Sequence, residues 1–385
     1  MAEAYLVELV RTAGGRRNGA LAGWHPADLG GAVIDGLVAR AGIDPAAIDD
    51  VITGCVTQAG EQAFAFGRNC VLASSLPETV PAVTIDRQCG SSQQAIHFAA
   101  QAVMSGTQDM VIAMGVESMT RVPMGSNMKF HREAGLGWPF SDRIAARFGT
   151  RDFSQFTGAQ MIAEKHGFDR ETLDRYALES HRRAAAATAA GAFAAEILPV
   201  ATGAGQHLRD EGIRDDASYE GIALVKLLQE GGVISAANAS QMCDGAAAVL
   251  VVNEAALKRH GLTPKARIVN LTVTAGDPVI MLEEPIPATR RALERAGMKL
   301  ADIDLFEVNE AFAPIPLAWL KEIGADPAKL NVNGGAIALG HPLGASGARL
   351  MTTLVNALHS RGKRYGLQTM CEGGGIANVT IVEAL

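Results

Sequence analysis

Two rhythms of apolar positions alternate along the chain. Short, largely apolar runs at 51–53, 82–86, 110–115, 305–308, 330–333 and 366–371 read as buried strands. Between them, 29–40, 91–104, 288–295 and 344–360 place apolar residues three and four apart, the spacing of a helix with one buried side. Gly42 and Gly297 follow the helical stretches 29–40 and 288–295, where a left-handed glycine ends a helix. Strands and helices in alternation predict an α/β fold with buried sheets.

The pattern occurs twice. Arg40-Ala41-Gly42-Ile43 followed by Ile48-Asp49 returns as Arg295-Ala296-Gly297-Met298 followed by Ile303-Asp304. In each copy a later strand (82–86, 330–333) leads through a glycine turn into a helix (91–104, 344–360). Duplication is the economical reading, with 1–117 as an N-terminal α/β half and 251–385 as a C-terminal one. Residues 118–250 form an insertion whose last part returns to the first half. Its loops, such as Pro123-Met124-Gly125 and Gly135-Leu136-Gly137-Trp138-Pro139, precede helical patterns at 158–166 and 170–190. An insertion of that length reads as a lid or binding loop.

Composition narrows the function classes. Hydrophobic residues make up 48% and aromatics 5%, so the core is large and built from small aliphatic side chains. The net charge of −7 argues against nonspecific nucleic-acid binding and leaves room for a small anion held locally. No run of about 18 apolar residues predicts a membrane span. The start lacks a basic segment followed by a long apolar one, so a cytoplasmic location is expected. Five cysteines, an odd number with no CxxC spacing, predict reduced thiols. No close Cys/His pair suggests a metal.

Four segments carry candidate chemistry. Cys89, in Gln88-Cys89-Gly90-Ser91-Ser92, sits where a strand turns into a helix, and a helix N-terminus favours thiolate. His341 lies on a glycine-rich loop, Asn333-Gly334-Gly335 through Gly340-His341-Pro342-Leu343-Gly344, which lacks the GxGxxG of a dinucleotide site. Cys371 precedes Glu372-Gly373-Gly374-Gly375, where free backbone N–H groups can form an oxyanion hole beside a thiol proton donor. Asn309 follows a buried strand in Val308-Asn309-Glu310-Ala311-Phe312. Corresponding ends of the two halves thus carry a nucleophile, a base and a second thiol. Cys55, Cys70 and Cys243 read as packed small residues and His97 as a core histidine. His166, His181 and His260 read as solvent-exposed, and His131 as either pocket-lining or surface.

Asn309-Glu310-Ala311-Phe312, Gly334-Gly335-Ala336-Ile337-Ala338-Leu339-Gly340-His341-Pro342-Leu343-Gly344-Ala345-Ser346-Gly347 and Cys371-Glu372-Gly373-Gly374-Gly375 resemble the thiolase family. Gln88-Cys89-Gly90-Ser91-Ser92 resembles that family's nucleophile motif, and the similarity runs over the whole chain. The resemblance implies a duplicated five-layer α/β/α/β/α architecture, with a coenzyme A-binding loop domain at 118–250. It implies thiolytic cleavage of 3-ketoacyl-CoA to acetyl-CoA or propionyl-CoA and a shortened acyl-CoA, or the reverse condensation. Coenzyme A would be a substrate, no cofactor would be needed, and the chain would form a homodimer or homotetramer.

Site roles follow from the same resemblance. Cys89 would carry the acyl group, and His341 would activate it. His341 and Asn309, through a water, would form one oxyanion hole, and the N–H groups of Cys89 and Gly373 the second. Cys371 would exchange the proton of the acetyl-CoA enolate. Ala236, Ser240 and Phe312 would contact the coenzyme A substrate, with Ser240 near its pantetheine arm. Arg214 reads as either a contact to the nucleotide end or a solvated surface charge. Many thiolases carry a Met-Gly pair before an Ala-Glu near the acyl group, whereas the matching stretch here is Ala159-Gln160-Met161-Ile162-Ala163-Glu164. A missing methionine side chain there predicts a wider pocket and a branched, long or ring-bearing acyl group. A ketoacyl synthase would use Cys-His-His, so Cys371 favours thiolase. A noncatalytic acyl-CoA-binding protein needs none of the four catalytic residues, and a biosynthetic acetoacetyl-CoA thiolase shares them all.

Overall fold

A computed structural model describes residues 2–385. The first half runs β1 (Tyr5–Thr12), α1 (Pro26–Ala41), β2 (Asp50–Gly54), α2 (Phe66–Leu72), β3 (Ala82–Ile85), α3 (Ser91–Ser105) and β4 (Met110–Ser118). The insertion carries α4 (Gln155–His166) and α5 (Arg170–Ala189), and the chain then adds β5 (Cys243–Val252) beside β4. The second half runs β6 (Ala266–Ala275), α6 (Pro285–Ala296), β7 (Leu305–Val308), α7 (Pro314–Ile323), α8 (Ser346–Ser360), β8 (Tyr365–Glu372) and β9 (Ile376–Ala384).

The strand order makes the duplication explicit. The sheet reads β7-β8-β9-β6-β1-β5-β4-β2-β3, and the two halves meet where β1 pairs antiparallel with β6. In the first half, β3 and β4 flank β2 in parallel, and β5 and β1 follow antiparallel. In the second, β7 and β8 are parallel, and β9 and β6 follow antiparallel. Along β4, Met110, Ile112, Met114 and Val116 enter one core, while Val111 and Ala113 enter another. That period of two buries both faces of the strand. The first core is closed by α1 and α2; the second holds α3 and α8; a third, against β7 to β9, holds α6 and α7. The result is five layers, with α3 and α8 sandwiched in the middle.

Glycine permits that middle layer to close. A Cβ on Gly115 would overlap the carbonyl of Gly344, and one on Gly347 would overlap the backbone of Gln93. The contact is also hydrogen-bonded, since the Ala348 N–H donates to Ser92 Oγ at 2.9 Å. Behind it lies a polar core in which His97 Nε2 meets Thr380 Oγ1 at 2.8 Å.

Three expectations are corrected. The run 330–333 does not form a strand; its link to β7 is an isolated parallel bridge, Phe306 to Leu330. Asn331 adopts φ +43°, and its side-chain amide accepts from Val308 N–H and donates to Val308 C=O, both at 2.9 Å. A side chain thereby substitutes for a neighbouring backbone. The helix expected from 344 starts at Ser346, after a short 3-10 turn at Leu343–Ala345. His166 and His181 are buried rather than exposed: His166 pairs with Glu283 at 2.9 Å, and His181 Nδ1 accepts the Arg214 N–H at 3.3 Å. His260 is half-buried, while Cys55, Cys70 and Cys243 are buried thiols.

Two measurements check this packing. Gly347→Ala lowers the unfolding free energy by about 1–3 kcal/mol, seen as a lower urea midpoint at constant slope. Gly23→Ala, where a Cβ meets open space, leaves the midpoint in place. His97 is held neutral, its pKa lowered to about 3 by burial. Unfolded, it takes a proton below about pH 6.5, so its contribution is present above that pH and is lost as pH falls towards 3. At pH 5 the loss is about 2 kcal/mol. The drop in stability between pH 7 and pH 5 is therefore smaller by about that amount in His97→Gln.

Candidate active site

Cys89 stands on a tight turn between β3 and α3. Gln88 is held at φ +49°, and flanking side chains hold the turn in place. Asp86 accepts the Gln88 N–H at 2.7 Å, while Ser91 Oγ donates to Gln88 C=O at 2.6 Å and accepts from Arg87 N–H. The thiol packs among Val56, Met119, Leu343, Leu350 and Met370. Burial, reinforced by the Glu372 carboxyl, pushes its pKa up to about 12. The expectation that the helix N-terminus would favour thiolate is thus outweighed by desolvation. In the resting site the nucleophile is a thiol and needs a base.

His341 is the candidate base. Its loop reaches the nucleophile through Leu343, and its backbone N–H donates to Gln241 C=O at 2.9 Å. Ser346 Oγ lies 2.9 Å from Pro342 C=O and 2.5 Å from His341 Nδ1; with its one proton given to the carbonyl, the imidazole donates from Nδ1. Nε2 is left with its lone pair, facing Asn309 Nδ2 at 3.4 Å. Burial, with the Arg349 guanidinium adding to it, lowers the imidazole pKa to about 3, which keeps the ring neutral. Glu117 ties the loop to the first half, accepting from Gly344, Val56 and Thr57 N–H groups at 2.9–3.0 Å.

Asn309 and Cys371 come from adjacent parallel strands. Val308 is in register with Thr369, and the Asn309 N–H donates to Thr369 C=O at 3.1 Å. Asn309 Oδ1 is buried without a protein partner. Cys371 is fully buried on β8, and its thiol is raised well above the ordinary range, first by burial and then by its neighbour Cys89. The turn after β8 needs glycine: Gly374 and Gly375 sit at φ +85° and +76°, and Gly373 packs on the Gln88 side chain. Cys89, Asn309, His341, Cys371 and Gly373 are therefore drawn to one place.

The expected substrate contacts separate. A cavity of about 310 Å³ is lined by His181, Arg214, Ser218, Ala236, Ala237 and Gln241. Arg214 is exposed on its wall. Ser240 and Phe312 do not line it; Ser240 N–H donates to Ala311 C=O at 2.9 Å, and Phe312 is buried. Residues 238–241 run between them, from the cavity to the His341 loop. Gln241, His181 and Ser346 are site residues that motif reading missed; a Ser five positions after the His, on a helix start, was the available signal. His131 is exposed.

The stretch 159–164 lies within α4. Ala159, Ile162 and Ala163 are buried in the second-half core. It is the first turn of α4 that reaches the nucleophile's surroundings: Gln155 Nε2 lies 3.8 Å from Met124 Sδ, Met124 packs on the Cys89 cluster, and Phe156 meets Phe312 edge-on at 5.5 Å. Glu310, between Asn309 and Phe312, is structural. It binds Tyr176, Ser180, Asn331 and the Ile337 N–H, which anchors α5 to the second half. Among the described residues, no group of three or more His, Cys, Asp or Glu side chains has a metal-holding arrangement, and no helix is long and apolar enough to cross a membrane.

Comparison with known proteins agrees over the whole length. Residues 4–255 match the thiolase N-terminal domain and 262–384 the thiolase C-terminal domain. The chain is 55% identical to the steroid 3-ketoacyl-CoA thiolase FadA6 of Mycobacterium tuberculosis, covering 100% of this chain and 95% of that one. It is 41% identical to a 3-ketoacyl-CoA thiolase of Erwinia tasmaniensis, over all of both chains. Human mitochondrial 3-ketoacyl-CoA thiolase superposes with a TM-score of 0.90 at 36% identity, over 100% of this chain and 99% of that one. Bacillus anthracis acetyl-CoA acetyltransferase superposes with 0.91 at 36% identity and the same coverage. The two domain matches together span nearly the whole chain, and the chain is a member of the thiolase family.

Proposed function

We propose that the chain is a degradative thiolase that cleaves a bulky, ring-bearing 3-ketoacyl-CoA with coenzyme A. The observation that carries the chemistry is a neutral, buried His341 on a loop that packs on the Cys89 cluster, with the buried Cys89 and Cys371 thiols beside one another. As Cys89 sulfur attacks the 3-keto carbon, its proton passes to His341 Nε2. The oxyanion is then held by the protonated Nε2 and the Asn309 side. The C2–C3 bond breaks, its electron pair goes to an acetyl-CoA enolate, and the N–H groups of Cys89 and Gly373 stabilise that charge. Cys371 gives its proton to C2, releasing acetyl-CoA. Incoming coenzyme A returns a proton to Cys371 and attacks the Cys89 thioester, and His341 reprotonates Cys89. The acyl-enzyme divides one difficult step into two.

Substrate and assembly rest on separate supports. The relative named a steroid 3-ketoacyl-CoA thiolase is 55% identical to this chain. The cavity holding Arg214 and Ala236 suits the nucleotide end of coenzyme A, and the insertion at 118–250 would act as its binding domain. Ser240 and Phe312 would then back the pantetheine arm. A homodimer or homotetramer would use the free edge of β3, where Val83 is half exposed and Phe64 and Leu72 project beside it. A cytoplasmic, reducing compartment suits five free cysteines.

Intact-mass spectrometry after incubation with a 3-ketoacyl-CoA and no free coenzyme A tests the chemistry. Wild type gains the acyl mass, and Cys89→Ala does not. No adduct with any of several acyl groups makes the chain an acyl-CoA-binding protein instead. For the substrate, kcat/KM across a series rises from acetoacetyl-CoA to a polycyclic 3-ketoacyl-CoA by at least about tenfold, or roughly 1.4 kcal/mol of transition-state binding. The highest value at acetoacetyl-CoA would place the enzyme with the biosynthetic thiolases.

A further inference from the structure

Glu372 takes no part in those steps, yet its carboxyl joins the elements that carry both cysteines. It is the last residue of β8, next to Cys371, and none of it reaches solvent. Its Oε1 accepts the Asn378 N–H across the hairpin to β9 at 3.0 Å. The same carboxyl fills the space beside Gly90, where a Cβ would overlap it, so it bears on the residue that follows Cys89. Its Oε2 is buried with no hydrogen-bond partner. A carboxylate so placed would hold an unpaired charge out of water, whereas the acid form loses far less on burial.

Burial is what favours the acid form; the Arg87 guanidinium and the Asn378 N–H both act the other way. Arg87 and Cys89 come from the nucleophile turn, Cys371 from its own strand, and His97 on α3 reaches it only through Asn378. Arg87 is the cation acting on it, without a direct ion pair, and His97 is held neutral. Burial lifts the carboxyl well above the usual range, and its charge in turn disfavours both thiolates.

We propose that Glu372 is a positioning residue: as a neutral acid it locks the Cys89 turn against the Cys371 strand, and its ionisation at alkaline pH suppresses thiol chemistry at both cysteines. The proposal rests on the thiolase reading for its consequence in turnover, though not for its effect on the thiols. Glu372→Gln keeps the shape and the Oε1 acceptor but cannot ionise.

The test measures iodoacetamide alkylation of Cys89 and Cys371, by peptide mass spectrometry from pH 6 to pH 10, in wild type and Glu372→Gln. The variant-to-wild-type rate ratio is expected near one at pH 6 and at least about fivefold higher at pH 9, because the wild type alone gains a neighbouring negative charge. The alkaline limb of kcat/KM moves up by about one pH unit or more in the same variant. Glu372→Ala, which loses the lock, lowers kcat by about tenfold across the range. A rate ratio that stays constant with pH overturns the proposal, whether or not the protein turns over a 3-ketoacyl-CoA. A changing ratio in a protein without turnover upholds it and removes the thiolase reading instead.

Discussion

The structure depends on how closely α3 and α8 approach at their N-terminal ends. Each helix starts just after a candidate catalytic segment, Cys89 before α3 and His341 before α8. Gly115 and Gly347 let backbone meet backbone there, and Ser92 bonds the Ala348 N–H across the contact. Any side chain at either glycine would separate the halves by the width of a methyl group. The nucleophile and its base would then part by a distance that catalysis does not tolerate. Packing in the middle layer and chemistry at its rim are one constraint.

That packing also makes the site dry. Both thiols, the imidazole, Glu117 and Glu372 are all buried. A helix N-terminus can favour an anion by up to about 2 kcal/mol in a partly buried setting, but desolvation of a fully buried thiol costs more. The two thiols and the imidazole therefore wait uncharged, and charge arises at them only when a substrate carbonyl receives it. Ser346 serves this arrangement by fixing which imidazole nitrogen carries the proton.

The duplicated fold was legible because its strands carry unbroken apolar runs and its helices end in glycine. The five candidate site residues drew notice because they sit at strand ends or on glycine-rich turns, a placement that motif spacing records. What stayed hidden had its cause far away in sequence. His181 is buried by contact with the Arg214 segment, not by its helical neighbours. Asn331 cancels a strand through a side-chain bond to Val308 that composition cannot reveal. The first turn of α4 packs near the nucleophile's surroundings, while the face bearing Ala159 and Ala163 turns inward to the third core.

Asn331 has a consequence for assembly. By occupying the backbone groups of Val308, its amide blocks part of the outer edge of β7, while β3 at the opposite end of the sheet stays open. The two halves are alike in topology but not in what their rims offer a neighbour. A sheet with two open ends adds copies without limit, as fibres do. A sheet with one open end adds a single copy about a two-fold axis, and the pair then has no rim left to extend. An asparagine where the repeat calls for a strand leaves the rim of β7 with fewer free backbone groups than the rim of β3.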